Sequence, residues 1–370
     1  MMHKYWARKP HNVIAQYIEY YTNPGDFVLD PFMGSGVTVI EASRLGRKAI
    51  GNDLNPMACL IAEMTLVPVD LEKLKLSFAQ LQTVVKDRID SYYSVRCSNN
   101  NCGKEAVTSH VVWKQEKYAA EKILLLKVQC PHCGKKEQRK PTDDDLRRYE
   151  TVRNQAIPYF YPKDVPLHET AKRSVEFIHE LFAYRALICL SLLLHELSLI
   201  QDSRIRRLLQ FCFTSSLAQV SRMPPYAPSS GISWKVPNYW VPPVHWEQNV
   251  FDAFSERFKK LLRGKENGHK SGVSDHNITI LNEDAARLSV IGDSSIDYIF
   301  TDPPYGDAVP YFGLSLMWSS WLGIHNTLDF DKEIIISERG DYEKELEDYR
   351  KMLASSFREM FRVLKNGGTV

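Results

Sequence analysis

The sequence predicts a mostly parallel, doubly wound α/β sheet that is interrupted by a large insertion. A strand, a glycine-containing loop, a helix and a second strand follow one another within residues 27–53. A further apolar strand, residues 296–300, ends abruptly in a stretch with two prolines. The insertion between these halves, residues 67–270, contains a cluster of four cysteines. Alternating strands and helices are typical of open α/β sheets, and 370 residues provide ample core.

The composition is that of a globular protein, with 44% hydrophobic and 25% charged residues. A formal net charge of +2 means that any contact with nucleic acid must come from local basic patches. The most apolar stretch, residues 181–200, has an uncharged run far shorter than the ~18 residues of a membrane span, which predicts a buried helix. The N-terminus lacks an apolar core and a cleavage site, which argues against secretion. Seven cysteines, four of them clustered, favour metal binding in a reducing cytosol over disulfides, so we expect a cytoplasmic protein with no membrane partner.

The first half of the chain reads as a nucleotide-binding βαβ unit. Hydrophobic spacing predicts helices over residues 12–21 and 37–45 and strands over residues 27–30 and 48–53. Turn residues separate the first helix from the first strand. This layout places a loop with two glycines directly before the N-terminus of a helix, which favours an anion or a closely approaching ligand.

Four residues of this unit are candidates for cofactor binding. Gly34 and Gly36 would let the backbone approach a ligand closely. Asp53 lies seventeen positions beyond Gly36, where such folds place the carboxylate that binds ribose hydroxyls. Asp30 ends the first strand immediately before the loop, which favours a sulfonium cofactor, S-adenosylmethionine, over NAD. The alternative is a tight strand-to-helix turn without a ligand.

The stretch from Thr301 to Tyr305 is the candidate catalytic loop. Two prolines, Pro303 and Pro304, end the strand and make the backbone stiff, which suits a site that must hold acceptors in place. The Asp302 carboxylate and the Pro303 carbonyl would accept the hydrogens of an exocyclic amino group and free its lone pair. Tyr305 would stack on the ring. The alternative is a proline-rich turn that begins with a capping aspartate.

Three stretches together resemble the amino-methyltransferases that modify adenine N6 or cytosine N4 in DNA. They are His-Lys-Tyr-Trp-Ala-Arg-Lys-Pro at residues 3–10, Asp-Pro-Phe-Met-Gly-Ser-Gly at residues 30–36, and Thr-Asp-Pro-Pro-Tyr at residues 301–305. The resemblance covers about residues 1–66 and 277–370. It implies a Rossmann-like methyltransferase sheet, an S-adenosylmethionine site on the first loop and catalysis on the second.

The resemblance also implies roles for individual residues. Lys9 would close over the methionine end of the cofactor, and Asp284 would meet its adenine. The complete cofactor-binding set is Lys9, Asp30, Phe32, Gly34, Gly36, Asp53 and Asp284. The catalytic set is Asp302, Pro303, Pro304 and Tyr305. Adenine is favoured over cytosine because the N4-cytosine enzymes more often carry serine where Asp302 stands.

The implied partner is DNA with one base flipped out of the helix, and a restriction or defence partner stays open. Two other functions also stay open. The same Thr-Asp-Pro-Pro-Tyr-Gly stretch resembles tRNA guanine-N2 methyltransferases, although only about thirty residues precede the cofactor loop here. The chain could alternatively be a zinc-containing nucleic-acid-binding module with an inactive methyltransferase core.

The cysteines of the insertion predict a zinc ribbon at about residues 95–140. Twenty-seven residues separate the pair Cys97 and Cys102 from the pair Cys130 and Cys133, with two strands expected within residues 111–128. Four thiolates from two such turns suit a tetrahedral, structural zinc, and unconnected reduced cysteines are the alternative. The basic residues that follow predict a phosphate-contacting patch or a solvated surface; they are Lys135, Lys136, Arg139 and Lys140.

The rest of the chain carries weaker signals. Residues 167–215 should be helical. Residues 222–246 should form a loop of prolines and aromatics that either stack on a base or cover the core. Residues 263–275 should be a flexible linker. The expected domains are residues 1–66, the insertion 67–270 with its recognition region at about 167–262, and residues 277–370. A helix over residues 349–364 should turn into a final strand, and family members continue from there into a β-hairpin. We therefore expect a truncated chain.

Overall fold

A computed structural model describes residues 2–116, 119–167, 175–227, 234, 238–337 and 343–370. It divides into two compact units, one of Met1–Leu71 with Leu261–Val370 and one of Glu72–Lys260. The strands are β1 (Phe27–Asp30), β2 (Lys48–Asn52), β3 (Ser94–Arg96), β4 (Glu105–Glu116), β5 (Ala119–Gln129), β6 (Lys136–Arg139), β7 (Val244–Gln248), β8 (Ile278–Leu281), β9 (Ile296–Ile299) and β10 (Leu364–Thr369). The helices are α1 (His11–Tyr21), α2 (Val37–Arg44), α3 (Pro56–Leu66), α4 (Leu71–Tyr92), α5 (Asp143–Arg153), α6 (Tyr184–Ser198), α7 (Ser203–Val220), α8 (Val250–Lys270), α9 (Tyr311–Trp321) and α10 (Leu346–Val363).

The first unit is built on a parallel sheet with the strand order β10-β9-β1-β2-β8. Parallel neighbours cannot be joined by a tight turn, so helices cross over between them. Because side chains alternate along a strand, Val28 and Leu29 of β1 face opposite sides. Val28 packs with residues of α1 and α2, and Leu29 packs with Met360 and Val363 of α10. Helices therefore cover both faces, and the predicted doubly wound α/β fold is confirmed.

The strand order also decides where a site can form. β1 lies in the centre of the sheet between β2 and β9. The chain leaves β1 toward β2 on one side and returns to β9 on the other, so the strand order switches direction at β1. In open α/β sheets the carboxyl ends of the strands at such a switch point form a ligand-binding crevice. The glycine loop after β1 and the proline loop after β9 both start at this edge.

The second unit contains an antiparallel sheet with the order β3-β4-β5-β6, in which β7 also pairs with β4. One face of this sheet is apolar and packs with Tyr149 of α5. A buried ion pair joins the sheet to α6, because Arg185 donates to both carboxylate oxygens of Glu247 at 2.8 and 2.9 Å. Trp113 donates to the same carboxylate at 2.7 Å. Each buried charge is hydrogen-bonded, which is the condition under which such a pair is tolerated in a core.

Two sequence expectations about helices are wrong. Residues 175–183 are extended apart from one short 3-10 turn, Ile178–Leu181, so the helical region begins at Tyr184. The backbone there pairs instead with distant segments, as in the bridge between Phe182 and Ser221. Residues 168–174 lie outside the described part of the chain.

The predicted flexible linker at residues 263–275 is mostly helix, since α8 continues to Lys270. The buried ammonium of Lys265 donates to the carbonyl oxygens of Thr65 and Val67 at 3.0 and 2.6 Å, which satisfies the end of α3. Glycine lowers helix stability by about 1 kcal/mol, yet Gly264 stays helical with the side chain of Met2 packed against it. Tertiary contacts therefore override the local composition.

The expected turn after the last helix lies inside β10: only Leu364 and Thr369 pair with β9, and Gly367 between them has φ 84°. Gly367 and Gly368, expected as turn residues, belong to the strand at a register shift. A side chain at Gly368 would lie 3.0 Å from the carbonyl oxygen of Asp297, so glycine is needed for β10 to approach β9.

The aromatics of residues 222–246 that the structure describes mostly cover the core. Trp246 lies on β7 and Tyr226 packs against it, while Trp234 stacks on Tyr239 with ring centroids 5.3 Å apart. Residues 228–233 and 235–237 lie outside the described part. The domain boundaries and a recognition role for residues 67–270 stay predictions. No helix of the described chain is long and apolar enough to cross a membrane.

We expect Gly36→Ala to destabilise the first unit more than Gly46→Ala. Both glycines have positive φ, 78° and 73°, which costs an L-residue about 1–2 kcal/mol. Only at Gly36 would the new Cβ also meet another atom, the Cβ of Ala62 on α3 at 2.6 Å, and overpacking adds about 1–3 kcal/mol. Urea-unfolding midpoints measure the difference. Equal shifts for the two variants would contradict close packing of α2 on α3 as the reason for Gly36.

Candidate active site

The carboxyl ends of β1, β2 and β9 surround a cleft of about 950 Å³, including its open mouth. Asp30 from the first loop and Asp302 from the second both line it. The two loops that the sequence singled out, far apart in the chain, therefore share one cavity.

Most of the candidate residues line this cleft. Those that do are Lys9, Asp30, Phe32, Gly34, Asp53, Asp284, Asp302 and Pro304. Gly36, Pro303 and Tyr305 are not among its lining residues. Gly36 instead lies against Ala62, so its proximity to a helix explains the glycine without a ligand. The role of each residue in binding or catalysis stays a prediction.

Asp30 is buried at the end of β1, with 5% of its surface exposed. Its carboxylate accepts hydrogen bonds from the backbone N–H of Phe32 at 3.1 Å and from the hydroxyl of Thr38 at 2.5 Å. Burial raises the pKa of Asp30 to about 7, although these two donors oppose the shift. A carboxylate held in this way is a costly charge that a bound cation would stabilise.

Asp53 connects the end of β2 to the glycine loop. Its carboxylate accepts from the backbone N–H groups of Gly34 and Asn55, each at 2.8 Å. Burial raises the pKa of Asp53 to about 6, again against these donors. Each carboxylate oxygen has two lone pairs, so Asp53 keeps capacity for a further donor such as a hydroxyl group. Gly34 itself has φ 51°, and a Cβ there would lie 3.1 Å from the ring of Tyr5.

Lys9 contacts the candidate catalytic loop, residues 301–305. Its ammonium nitrogen is 2.7 Å from one carboxylate oxygen of Asp302 and also contacts the hydroxyl of Tyr305. The Tyr305 hydroxyl in turn donates to the other Asp302 oxygen, and the Lys9 nitrogen lies 4.9 Å from the Tyr305 ring centroid. Asp302 raises the pKa of Lys9 to about 12. A nitrogen with bound hydrogens thus already contacts one of the two acceptors that the sequence assigned to a substrate amine, the Asp302 carboxylate, and lies near the Tyr305 ring.

Further side chains shape the cleft, and sequence reasoning missed two of them, Tyr349 and Glu333. Tyr5 and Tyr311 stack with ring centroids 5.8 Å apart, and both line the cavity. Tyr349 of α10 donates its hydroxyl to the carbonyl of Pro304 at 2.6 Å, which fixes the proline loop. Glu333 accepts from the backbone N–H of Phe312 at 2.9 Å, at the start of α9. Tyr5 lies in the aromatic and cationic stretch at residues 3–10, which the sequence analysis singled out. No motif in the sequence near Tyr349 or Glu333 indicates a role in the cleft.

The four clustered cysteines meet in the second unit. The sulfur atoms of Cys97, Cys102, Cys130 and Cys133 all lie within 4.8 Å of one another. Two of the separations are 3.6 Å, between Cys97 and Cys133, and 3.8 Å, between Cys102 and Cys130. A tetrahedral zinc with Zn–S bonds of about 2.3 Å requires sulfur separations of about 3.8 Å. The donor set and its geometry therefore fit a structural zinc ion.

Comparison with known proteins finds similarity over short stretches of the chain. The sequence model of a DNA methylase family matches residues 2–64. The Type II methyltransferase M.MjaII of Methanocaldococcus jannaschii is 38% identical over 74 residues, which is 20% of this chain and 14% of that protein. The Type II methyltransferase M1.MboII of Moraxella bovis is 53% identical over 47 residues, 13% of this chain and 18% of that protein. The Type II methyltransferase M2.DpnII of Streptococcus pneumoniae is 41% identical over 63 residues, 17% of this chain and 24% of that protein.

The matched stretch thus spans less than a quarter of the length of each of these three relatives. The family match, residues 2–64, runs from the N-terminal aromatic and cationic stretch through β1, the glycine loop and β2 into α3.

Proposed function

We propose, on the premise that this chain is an amino-methyltransferase of the DNA N6/N4 type, that it transfers a methyl group from S-adenosylmethionine to the N6 amino group of adenine in DNA. The premise rests on the family match and on the similarity to three Type II methyltransferases. The choice of adenine rests on Asp302, which stands where N4-cytosine enzymes more often carry serine. DNA as the substrate is part of the proposal.

The observation that carries the proposal is the shared cleft between the two loops. β1 and β9 are hydrogen-bonded parallel neighbours, with Val28 opposite Tyr298 and Leu29 opposite Ile299. Their carboxyl ends therefore lie side by side, and Asp30 and Asp302 open onto the same cavity. A methyl donor and an amine acceptor held on these two loops would be close enough for direct transfer, which gains most from positioning.

The residues around the first loop complement a cationic cofactor. S-adenosylmethionine, when bound, supplies a methyl group on a positively charged sulfur. Asp30 and Asp53 provide two buried carboxylates where this positively charged sulfur would lie. Their raised pKa values indicate that burying their negative charge costs free energy. Tyr5 and Tyr311 supply an aromatic wall that excludes water. Asp284 lies on the same cleft, next to the end of β8, where it can meet the adenine part.

On the second loop, Asp302 and the carbonyl of Pro303 would accept the two hydrogens of the amino group. These acceptors draw the nitrogen toward tetrahedral geometry, so its lone pair points at the methyl carbon. The ring of Tyr305 is 45% exposed and could stack on a base that is flipped out of the duplex. Because the Lys9 ammonium lies on Asp302, it must move away when the amine arrives. The transferred methyl group leaves the product nitrogen with one proton in excess, which passes to solvent or to Asp302.

A guanine-N2 methyltransferase acting on tRNA is the second candidate, because its motif resembles the same proline loop. The three matched relatives are all Type II methyltransferases, which favours the DNA enzyme. Incubation with labelled S-adenosylmethionine and either DNA or tRNA, followed by nucleoside analysis, separates N6-methyladenine, N4-methylcytosine and N2-methylguanine. A chain that binds no S-adenosylmethionine in a titration would instead be an inactive module.

We expect Asp302→Ala to lower methyl transfer at least about 100-fold, because removing one preorganised electrostatic partner typically costs about 10²–10³ in rate. Binding of S-adenosylmethionine should stay within about twofold, since Asp302 belongs to the other loop. Asp307→Ala is the matched control, because Asp307 is an exposed acid five positions away. Methylated nucleoside per unit time measures the effect. Activity in Asp302→Ala equal to that of the control would refute the catalytic assignment.

We expect the affinity for S-adenosylmethionine to rise between about pH 5.5 and 8. Asp30 and Asp53, with pKa values of about 7 and 6, lose their protons in this window and then attract the sulfonium charge. S-adenosylhomocysteine has no sulfonium charge and should show a weaker dependence. Asp30→Asn should remove the step near pH 7. Isothermal titration across the pH range tests this, and identical profiles for the two ligands would contradict it.

We further propose that Cys97, Cys102, Cys130 and Cys133 bind a structural zinc ion, which stabilises the second unit without taking part in the reaction. Purified protein should contain zinc, and a chelator should lower its melting temperature. Cys102→Ser should lose the metal, whereas Cys212→Ser, at a buried cysteine outside the cluster, should retain it. Elemental analysis of both variants gives the answer, and equal zinc contents would rule out this site.

A further inference from the structure

We propose that the outer face of the antiparallel sheet in the second unit binds the phosphate backbone of duplex DNA. This face carries Lys114, Lys122, Lys127 and Lys136, and we call it the lysine face. The inference rests on the proposed function for its choice of DNA as partner. It assigns an interaction surface to a part of the chain that lies outside the segment matched by the family model, residues 2–64.

Strand register puts these lysines on one side of the sheet. Directly opposed residues in an antiparallel pair point to the same face. Lys114 of β4 is opposite Lys122 of β5, and His110 of β4 is opposite Lys127 of β5. Because His110 and Lys114 are four positions apart on β4, both pairs point to the same face. On the other side of β5, Lys127 is opposite Gln138 of β6 and Gln129 is opposite Lys136.

Residues on the same side complete a surface suited to phosphates. Lys114, Lys122 and Lys136 are exposed, and Lys127 is half-buried. The Lys127 ammonium lies 4.4 Å from the ring centroid of Trp246, which orients its side chain. Exposed glutamines, Gln129 and Gln138, stand between the lysines and can donate hydrogen bonds to phosphate oxygens.

The carboxylates of these strands are mostly directed to the opposite face. Glu247 pairs with Arg185, Glu121 with Arg222, and Glu137 with Arg139, all on the side that packs on the core. Glu105 is at one end of the lysine face, where Arg148 lies 2.9 Å from it and compensates its charge. The side chains of residues 116–120 are outside the described set. Within that set, Lys122, Lys127 and Lys136 form no ion pair with a carboxylate, so these three lysines give the face its positive charge.

The size of the lysine face matches a short length of duplex. From Lys122 to Gln129 the strand advances by seven residues, about 23 Å at a rise of about 3.3 Å per residue. Each DNA strand advances about 3.4 Å per phosphate, so this length is roughly that of seven phosphates. Of the basic run that the sequence suggested for phosphate contact, Arg139 is paired with Asp145 and Lys135 with Glu137. Only strand register reveals that Lys136 shares a face with lysines from β4 and β5.

The test compares two triple variants of the full chain with the same change in net charge. Lys122→Gln with Lys127→Gln and Lys136→Gln alters the lysine face. Lys75→Gln with Lys259→Gln and Lys260→Gln alters exposed lysines on helices of the chain. The dissociation constant for a short duplex is measured by fluorescence anisotropy at several salt concentrations. Each lost phosphate contact lowers the magnitude of the slope of log K against log salt by about 0.9. The slope should therefore fall by about two to three in the face variant and stay almost unchanged in the control variant.

Further variants and ligands distinguish the proposal from misfolding, from a different class of partner and from failure of the proposed function. Lys122→Gln with Lys136→Gln leaves Lys127 on Trp246 and should lose about two in slope, while replacing all three face lysines by arginine should restore the wild-type slope. Equal slopes for the face and control variants would overturn the proposal. So would an effect seen with tRNA or a polyglutamate chain and absent with duplex DNA. If the wild-type protein methylates DNA but the face and control variants have equal slopes, only the assignment of the lysine face is wrong. If the face variant loses slope but the wild-type protein transfers no methyl group, the lysine face is supported and the proposed methyltransferase function is refuted.

Discussion

The parallel pairing of β1 with β9 is the constraint on which the candidate site depends. It places the ends of two strands, far apart in the chain, at adjacent positions of one sheet edge. Packing on both faces holds this pair in the middle of the sheet, with Val28 and Leu29 buried on opposite sides. Because the two loops start from fixed strand ends, Asp30 and Asp302 share a cleft without any long-range motion.

Charge placement around this cleft explains much of its chemistry. Asp30 and Asp53 are buried carboxylates that are held by backbone and hydroxyl donors, and burial raises the pKa of both. Asp302 is paired with the Lys9 ammonium in the same cavity. The ends of β1 and β2 therefore carry carboxylates suited to a cation, while the Asp302 carboxylate of the proline loop already binds an amine of the chain itself. The second unit would add zinc-stabilised structure and a positive sheet face for DNA.

Much of the fold could be predicted from local patterns. β1, β2 and β9 lie within one residue of their predicted ends, because their apolar runs are short and bounded by turn residues. The failures are equally instructive. The predicted linker at residues 263–275 is largely helix, since the backbone contacts of Lys265 override its glycine content.

The sequence by itself determined the class of sheet, the two polar loops and the four cysteines, because these signals depend on residue types and spacing within short segments. The tertiary structure alone decided that Lys9 meets Tyr305, 296 positions away, and that Tyr349 fixes the carbonyl of Pro304. It also decided which lysines share a sheet face, since that depends on register between strands. Contacts between distant segments follow from strand order and packing, which no local pattern encodes.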